Sequence, residues 1–361
     1  MLLAKTLRIS SPGRICLFGE HQDYLDLDVV AAAISLRFYV EGKPRSDDWF
    51  IIDLPDTGEK EKFQVKGELP YLKKRDYLRS TVNILYRLGC QFKTGWDVTM
   101  HGEIPINAGT SSSSAMVVAW TRFLLEASSS SHLAEKPEQV AELAHQAEVV
   151  EFREPGGKMD HYTSAVGGLV WIKFTPELNL TRLKAPLGKF VLGDSLEKKD
   201  TTGTLGSVRE RVNAGLQMIK KMEPAFDLKY ASEEDLSKLS RTLPPEIKNP
   251  LLGAVLNRDL TRAGLKLFQP DSFDHKEFGR LLTEQQKILR ELVGISTPKI
   301  DRMLQAALEA GAYGGKINGS GQGGCMFVYA PEDPEMAARA IEKAGGRPYL
   351  IEVTEGLRQE E

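Results

Sequence analysis

Apolar residues crowd two early stretches, Thr6–Leu17 and Val29–Val40, on either side of a polar turn at Glu20–Asp28. Runs rich in Ile, Leu, Val and aromatics, bounded by turn residues, predict two strands. A shorter pair, Phe50–Leu54 and Lys62–Lys66, flanks Pro55-Asp56-Thr57-Gly58 and predicts a hairpin. From Asp76 to Leu88 the apolar spacing becomes helical (Tyr77, Leu78, Val82, Leu85, Leu88), and Gly89 ends the helix. Trp96–Gly102 is a predicted strand feeding the loop Glu103–Gly109. Ser111–Leu125 follows as a helix with a broad apolar face made by Ala115, Met116, Val118, Ala119, Phe123 and Leu124. Ser128–Ser131 reads as a short linker and Pro137–Phe152 as another helix, opened by Pro-Glu. A glycine turn, Pro155-Gly156-Gly157, leads on to a predicted strand at Gly168–Phe174.

The texture changes near Leu187. Phe190–Gly193 is strand-like, Leu205–Met222 and Leu236–Leu243 are helical, and Phe273–Leu292 and Thr297–Ala310 are amphipathic helices. Gly314–Gly324 is glycine-rich, and strand Cys325–Tyr329, helix Pro334–Ala344 and strand Pro348–Val353 complete the pattern. With 361 residues the chain is too long for one ordinary core. The expected domains are 1–185 and 186–361, with the boundary between 180 and 190 and no internal repeat.

Charge excludes whole classes of partner. Lys and Arg number 47 against 50 Asp and Glu, so no positive field exists to hold nucleic acid or anionic lipid. Cys16, Cys90 and Cys325 are far apart in sequence, which argues against a disulfide framework or a structural zinc site. Met1–Ser10 lacks the apolar core of a signal peptide and no later run is long enough to span a bilayer, so the expected location is the cytoplasm.

Three segments carry the chemistry. In Ile104-Pro-Ile-Asn-Ala-Gly-Thr-Ser-Ser-Ser-Ser-Ala115, a glycine and four serines run straight into an amphipathic helix. Unpaired N–H groups, small side chains and the positive end of the helix dipole suit a polyphosphate, whereas a simple N-cap needs one serine only. No Gly-Lys-Ser/Thr follows, so this is not a P-loop. In Ser11-Pro-Gly-Arg-Ile-Cys-Leu-Phe-Gly-Glu-His-Gln-Asp-Tyr24, Arg14, Glu20, His21 and Asp23 offer donors and acceptors for a polyhydroxylated ligand. Between Glu148 and Asp160 two carboxylates are separated by a helix end and a glycine turn, an arrangement able to hold a metal at one and a base at the other. The segment Asn318-Gly-Ser-Gly-Gln-Gly-Gly324 taken alone is a tight turn needing positive φ.

In company these segments resemble the GHMP kinases, the family of galactokinase, homoserine kinase, mevalonate kinase and phosphomevalonate kinase. Gly13-Arg14-Ile-Cys-Leu-Phe-Gly19-Glu20-His21-Gln-Asp23-Tyr24 is similar to the galactokinase signature GRxNLIGEHxDY, differing at Cys16 and Phe18. The serine segment resembles the family phosphate loop, with Thr110 where Leu or Met is usual and Ser114 in place of Ala. Glu148–Asp160 resembles the galactokinase Glu…Gly-x-Met-Asp-Gln stretch with His161 in place of Gln, and residues 319–324 resemble the third family motif. The resemblance implies an α+β fold of two domains, a ribosomal S5 domain 2-like N-terminal half and a ferredoxin-like C-terminal half, with the active site between them. It implies ATP and Mg²⁺ as cofactors and a small-molecule sugar acceptor. ATP would lie on Gly109, Ser111, Ser112, Ser113 and Ser114, with Gly319 and Gly321 shaping the wall; Ser113 and Glu148 would hold Mg²⁺. Asp160 would accept or orient the proton of the anomeric hydroxyl beside Arg14, and Glu20, His21, Asp23 and Gly157 would hold the other hydroxyls.

Departures cluster on the acceptor side. Leu25-Asp26-Leu27-Asp28 stands where galactokinases carry Asn-Gly-Gly, and Thr204–Arg211 lacks the tyrosine of their Tyr-Asn-x-Arg-Arg segment. Lys158 and His161 are further substitutions. The expected activity is a sugar 1-kinase, with galactose the leading acceptor and another hexose, a pentose or a uronic acid as alternatives. A catalytically idle sugar/ATP sensor and a kinase of a non-sugar alcohol are the competing expectations.

Overall fold

The computed structural model describes residues 6–106, 108–197, 201–268 and 272–361. Asn107 of the phosphate-loop segment and the first five residues of the Met1–Ser10 stretch lie outside them. Strand β1 (Leu7–Phe18) and the first half of β2 (Val29–Pro44) are buried on both faces, which explains the apolar runs Ile15–Phe18 and Val29–Ile34. Alternation divides them between two cores. Ile9, Cys16, Val29 and Ala31 join one, while Ile15, Leu17, Val30 and Ala32 join the other.

The first sheet adds β3 (Trp49–Leu54), β4 (Glu59–Gln64) and β5 (Trp96–Gly102), with β6 (Leu169–Lys173) and β7 (Asn179–Leu183) to one side. β2 is long enough to serve two neighbours along one edge. Val29–Ala32 pairs with β6 and Phe38–Pro44 with β5, whereas β1 runs along its other edge. β3 and β5 are parallel. Helices α1 (Tyr77–Arg87), α2 (Ser112–Ala127), α3 (Pro137–His145) and α4 (Met159–Val166) cover this sheet, and Trp120 and Phe123 are fully buried beneath them.

The second sheet is β8 (Phe190–Asp194), β9 (Gly314–Ile317), β10 (Cys325–Tyr329) and β11 (Arg347–Ile351), ordered β11-β8-β10-β9 and antiparallel throughout. That order, with helices crossing between strands, is the ferredoxin-like arrangement. α5 (Thr201–Met222), α6 (Glu233–Leu239) and α7 (Pro245–Leu265) enclose a small third core, and α8 (His275–Ile288), α9 (Pro298–Glu309) and α10 (Pro334–Lys343) pack nearer the sheet.

The helix over 245–265 was not expected, because Pro245 and Pro250 and the polar Asn249, Asn257 and Asp259 interrupt its apolar spacing. Pro245 sits in the first turn, where it has no hydrogen bond to lose. The expected Pro137–Phe152 helix changes to a π-helical turn at Gln146–Val150, and the hairpin strand begins at Glu59 rather than Lys62. Residues beyond β11 do not stay with the second sheet. Val353 bridges to Ile34, Glu355 bridges to Gly167, and β12 (Arg358–Gln359) pairs with β1. The buried Arg37 guanidinium donates to the Glu355 and Gly356 carbonyls at 3.0 and 2.6 Å, fastening this return.

Candidate active site

β1 ends in the turn that carries Glu20 to Tyr24, and α2 begins at the serine run. The two meet in one cleft lined also by the Glu148–His161 region, Leu205, Gly319 and Ser320. Arg14 is almost fully buried at its floor. Its Nε and Nη2 both lie 2.8 Å from Asp160 Oδ1, and its Nη1 donates to the Gly109 carbonyl at 2.5 Å. One guanidinium therefore ties the carboxylate to the phosphate-loop backbone. Burial alone would push Asp160 up, but the charge and hydrogen bond of Arg14 together with the nearby Ser111 hydroxyl hold the carboxyl below its ordinary range.

The start of α2 is built for an anion. Gly109 and Ser111 take left-handed backbone conformations, with φ of 86° and 62°, that turn the chain sharply into the helix. No side chain caps the helix, and the buried hydroxyls of Thr110 and Ser111 lack well-formed hydrogen bonds. First-turn N–H groups and the buried Thr110 hydroxyl, which has no hydrogen-bond partner, form a fitting cradle for phosphate oxygens. The third glycine segment presses against this loop. A Cβ on Gly319 would meet the Gly109 carbonyl oxygen at 2.5 Å. Asn318, whose part sequence reasoning missed, donates to the Gly109 carbonyl at 2.8 Å and accepts from the Cys16 N–H at 2.9 Å. Gly321 is not at the cleft; it packs behind, against Ile295.

Glu148 lies in the π-helical turn, beside Ser113 and Ser114. Burial pushes its carboxyl up, but a hydrogen bond from His161 Nε2 at 2.7 Å and the two serine hydroxyls bring it below the usual range. No group of three or more metal-ligating His, Cys, Asp or Glu exists among the described residues. One carboxylate and one hydroxyl suit Mg²⁺, which takes its remaining ligands from water and nucleotide phosphates.

At the acceptor end, His21 is engaged at both ring nitrogens, by the Tyr24 hydroxyl at 2.7 Å and the Ser320 carbonyl at 3.1 Å. Asp23 accepts from the Met159 and Tyr24 backbone N–H groups at 3.3 and 3.0 Å. Burial, reinforced by the charge of Asp160, nonetheless pushes its carboxyl up to about 6. Gly157 makes room for it, since a Cβ there would lie 2.1 Å from Asp23 Oδ2. Glu20 is bound from behind by Lys316 at 2.7 Å, a fully buried ion pair joining β1's turn to β9. Sequence gave no notice of Lys316, which stands alone among glycines and isoleucine. Leu205 occupies the wall where a tyrosine was missing, and Lys158 pairs with Glu142 at 2.8 Å, away from the lining. Opposite, Phe38, Leu54, Met100, Ile106 and Met116 form an apolar slot drawn from β2, β3, β5, the loop after it and α2, which no local motif could reveal.

Three family models match the chain. The chain matches the GHMP kinase N-terminal domain over 76–168, the GHMP kinase C-terminal domain over 265–347 and the galactokinase galactose-binding signature over 4–44. The chain belongs to the GHMP kinases. Among its relatives, the mevalonate kinase of Thermococcus sibiricus is 29% identical over 98% of both chains. The galactokinase of Actinobacillus succinogenes is 25% identical over 98% of this chain and 95% of its own. Solved structures share the fold. Lactococcus lactis galactokinase complexed with galactose superposes with a TM-score of 0.82 at 19% identity, covering 99% of this chain and 95% of that one. Methanococcus jannaschii mevalonate kinase gives 0.74 at 19% identity, covering 97% and 99%. As a GHMP kinase the protein is an ATP-dependent kinase, and among the described residues no helix is long and apolar enough to cross a membrane.

Proposed function

We propose that this kinase phosphorylates a monosaccharide at its anomeric hydroxyl, with galactose the first acceptor to test. The Arg14–Asp160 pair carries the proposal, because it lies between the serine-lined start of α2 and the polar Glu20–Asp23 turn. In this reading the phosphates rest on Gly109 and Ser111–Ser114, with Gly319 bracing the loop from behind. Ser113 and Glu148 would hold Mg²⁺, which supplies charge neutralisation of the phosphates when bound. Phosphoryl transfer leaves little covalent work to the protein, so positioning and electrostatics dominate. Asp160 remains ionised at neutral pH and orients the acceptor hydroxyl, taking its proton late, as the new O–P bond forms. Arg14 keeps that carboxylate charged and faces the transferred group. Asp23, His21, Glu20 and the space over Gly157 would receive the other hydroxyls.

A mevalonate-type acceptor is the second reading. Several full-length relatives are mevalonate kinases, and Leu205 gives the acceptor wall an apolar surface suited to a methyl group. ADP release over a panel of aldoses, uronic acids and mevalonate, with NMR of the phosphorylated product, separates the two. Turnover of mevalonate alone would reject the sugar assignment. Binding of sugar and ATP with no turnover of any acceptor would instead mark a sensor.

A further inference from the structure

Six carboxylates line the cleft (Glu20, Asp23, Asp56, Glu148, Glu154 and Asp160), against two permanent cations, Arg14 and Arg75. A site so acidic repels a nucleotide polyphosphate unless cations are aimed at it. Arg14 is engaged by Asp160 at the reacting end. Arg75 stands elsewhere on the lining, in the turn just before α1, and senses the charge of Glu148. Its backbone is left-handed, φ 61°, a conformation costing an arginine about 1 kcal/mol. Its guanidinium is held in a fork by Glu154, at 2.5 Å from Nε and 3.0 Å from Nη2, and the Tyr77 hydroxyl braces the same carboxylate at 3.1 Å. An ordinary surface ion pair needs neither an unfavourable backbone nor a third partner.

We infer that Arg75 is a nucleotide-binding residue that contacts the phosphates remote from the transferred group, its plane set by Glu154 and Tyr77. This rests on the cleft being the ATP site. A planar guanidinium fixed before the ligand arrives loses little freedom on binding and makes charge-assisted hydrogen bonds to phosphate oxygens. Nothing in the sequence signals it, since Lys73-Lys74-Arg75-Asp76 has the look of a solvated basic turn.

Calorimetric titration of wild type, R75Q and R75K with adenosine, AMP and ADP in the presence of Mg²⁺ tests it. R75Q should bind ADP about 10- to 100-fold more weakly while adenosine affinity is unchanged. R75K, which keeps the charge but not the fork, should lose about 5-fold and covers the case in which R75Q does not fold. ADP affinity equal to wild type in both variants overturns the inference, as does an equal loss for adenosine, which would place Arg75 against the nucleoside. Wild-type protein that binds no ADP would instead reject the ATP site itself.

Discussion

Replacing Lys316 with methionine leaves the Glu20 carboxylate, nearly buried at the wall of the cleft, without its cation. The two groups meet at 2.7 Å with side chains 0% and 2% exposed. At that separation an effective dielectric of 20 gives an attraction of roughly 6 kcal/mol, most of it offset by removing both ions from water. The intact pair thus contributes little net stability, but removing one partner costs about 3–5 kcal/mol. Lys316 Nζ also donates to the Ile317 carbonyl at 2.9 Å, and methionine cannot replace that bond. K316M should therefore lose about 3–5 kcal/mol, and the double variant E20Q/K316M about 2 kcal/mol less than that, because no charge is left behind. Urea unfolding followed by circular dichroism at pH 7.5, on wild type, both single variants and the double, measures the coupling. If K316M unfolds within 1 kcal/mol of wild type, or the double variant simply adds the two single losses, the pair is not what joins the two sheets here.

Other expectations follow from the same geometry. D160N should lower kcat by about 10²- to 10⁴-fold with ADP affinity unchanged; near-normal turnover in a steady-state assay removes Asp160 from the chemistry. S113A and E148Q should shift the Mg²⁺ requirement upward, and superimposable Mg²⁺ titrations would reject them as ligands. Asp23, pushed up to about 6, binds its proton more tightly in the folded protein than in the unfolded chain, where the value is about 4. Its contribution to stability is therefore present below pH 4 and lost as pH rises through 6. D23N should melt higher than wild type above pH 6, with the two converging below pH 4 in thermal melts; a constant offset across that range would contradict the burial argument.

Much of the site was legible because its parts are local. Gly109 to Ser114 announce a helix start and an anion together, and the arginine and acidic residues after β1 stand out against an apolar strand. The strands with both faces buried were equally plain. What escaped depends on pairing across the fold. Lys316 has meaning only beside Glu20, nearly three hundred residues away, and Asn318 only against Gly109 and Cys16. The apolar slot gathers Phe38, Leu54, Met100, Ile106 and Met116 from different elements, each unremarkable in its own context. Glu20, expected to face a ligand, does line the cleft, yet an ion pair behind it fixes the carboxylate's direction. The helix at 245–265 escaped for a different reason: tertiary packing of Leu251, Ala254 and Val255 overrides a sequence broken by prolines and polar residues.

The return of residues 353–359 to β1 and to Ile34 imposes an order on biosynthesis. The first sheet lacks its outermost strand until nearly all of the second half has emerged, on the order of ten seconds or more at ordinary translation rates. Throughout that interval the Ile9–Ser10 stretch of β1 presents an unpaired edge to other nascent chains, of the kind that invites strand-to-strand association.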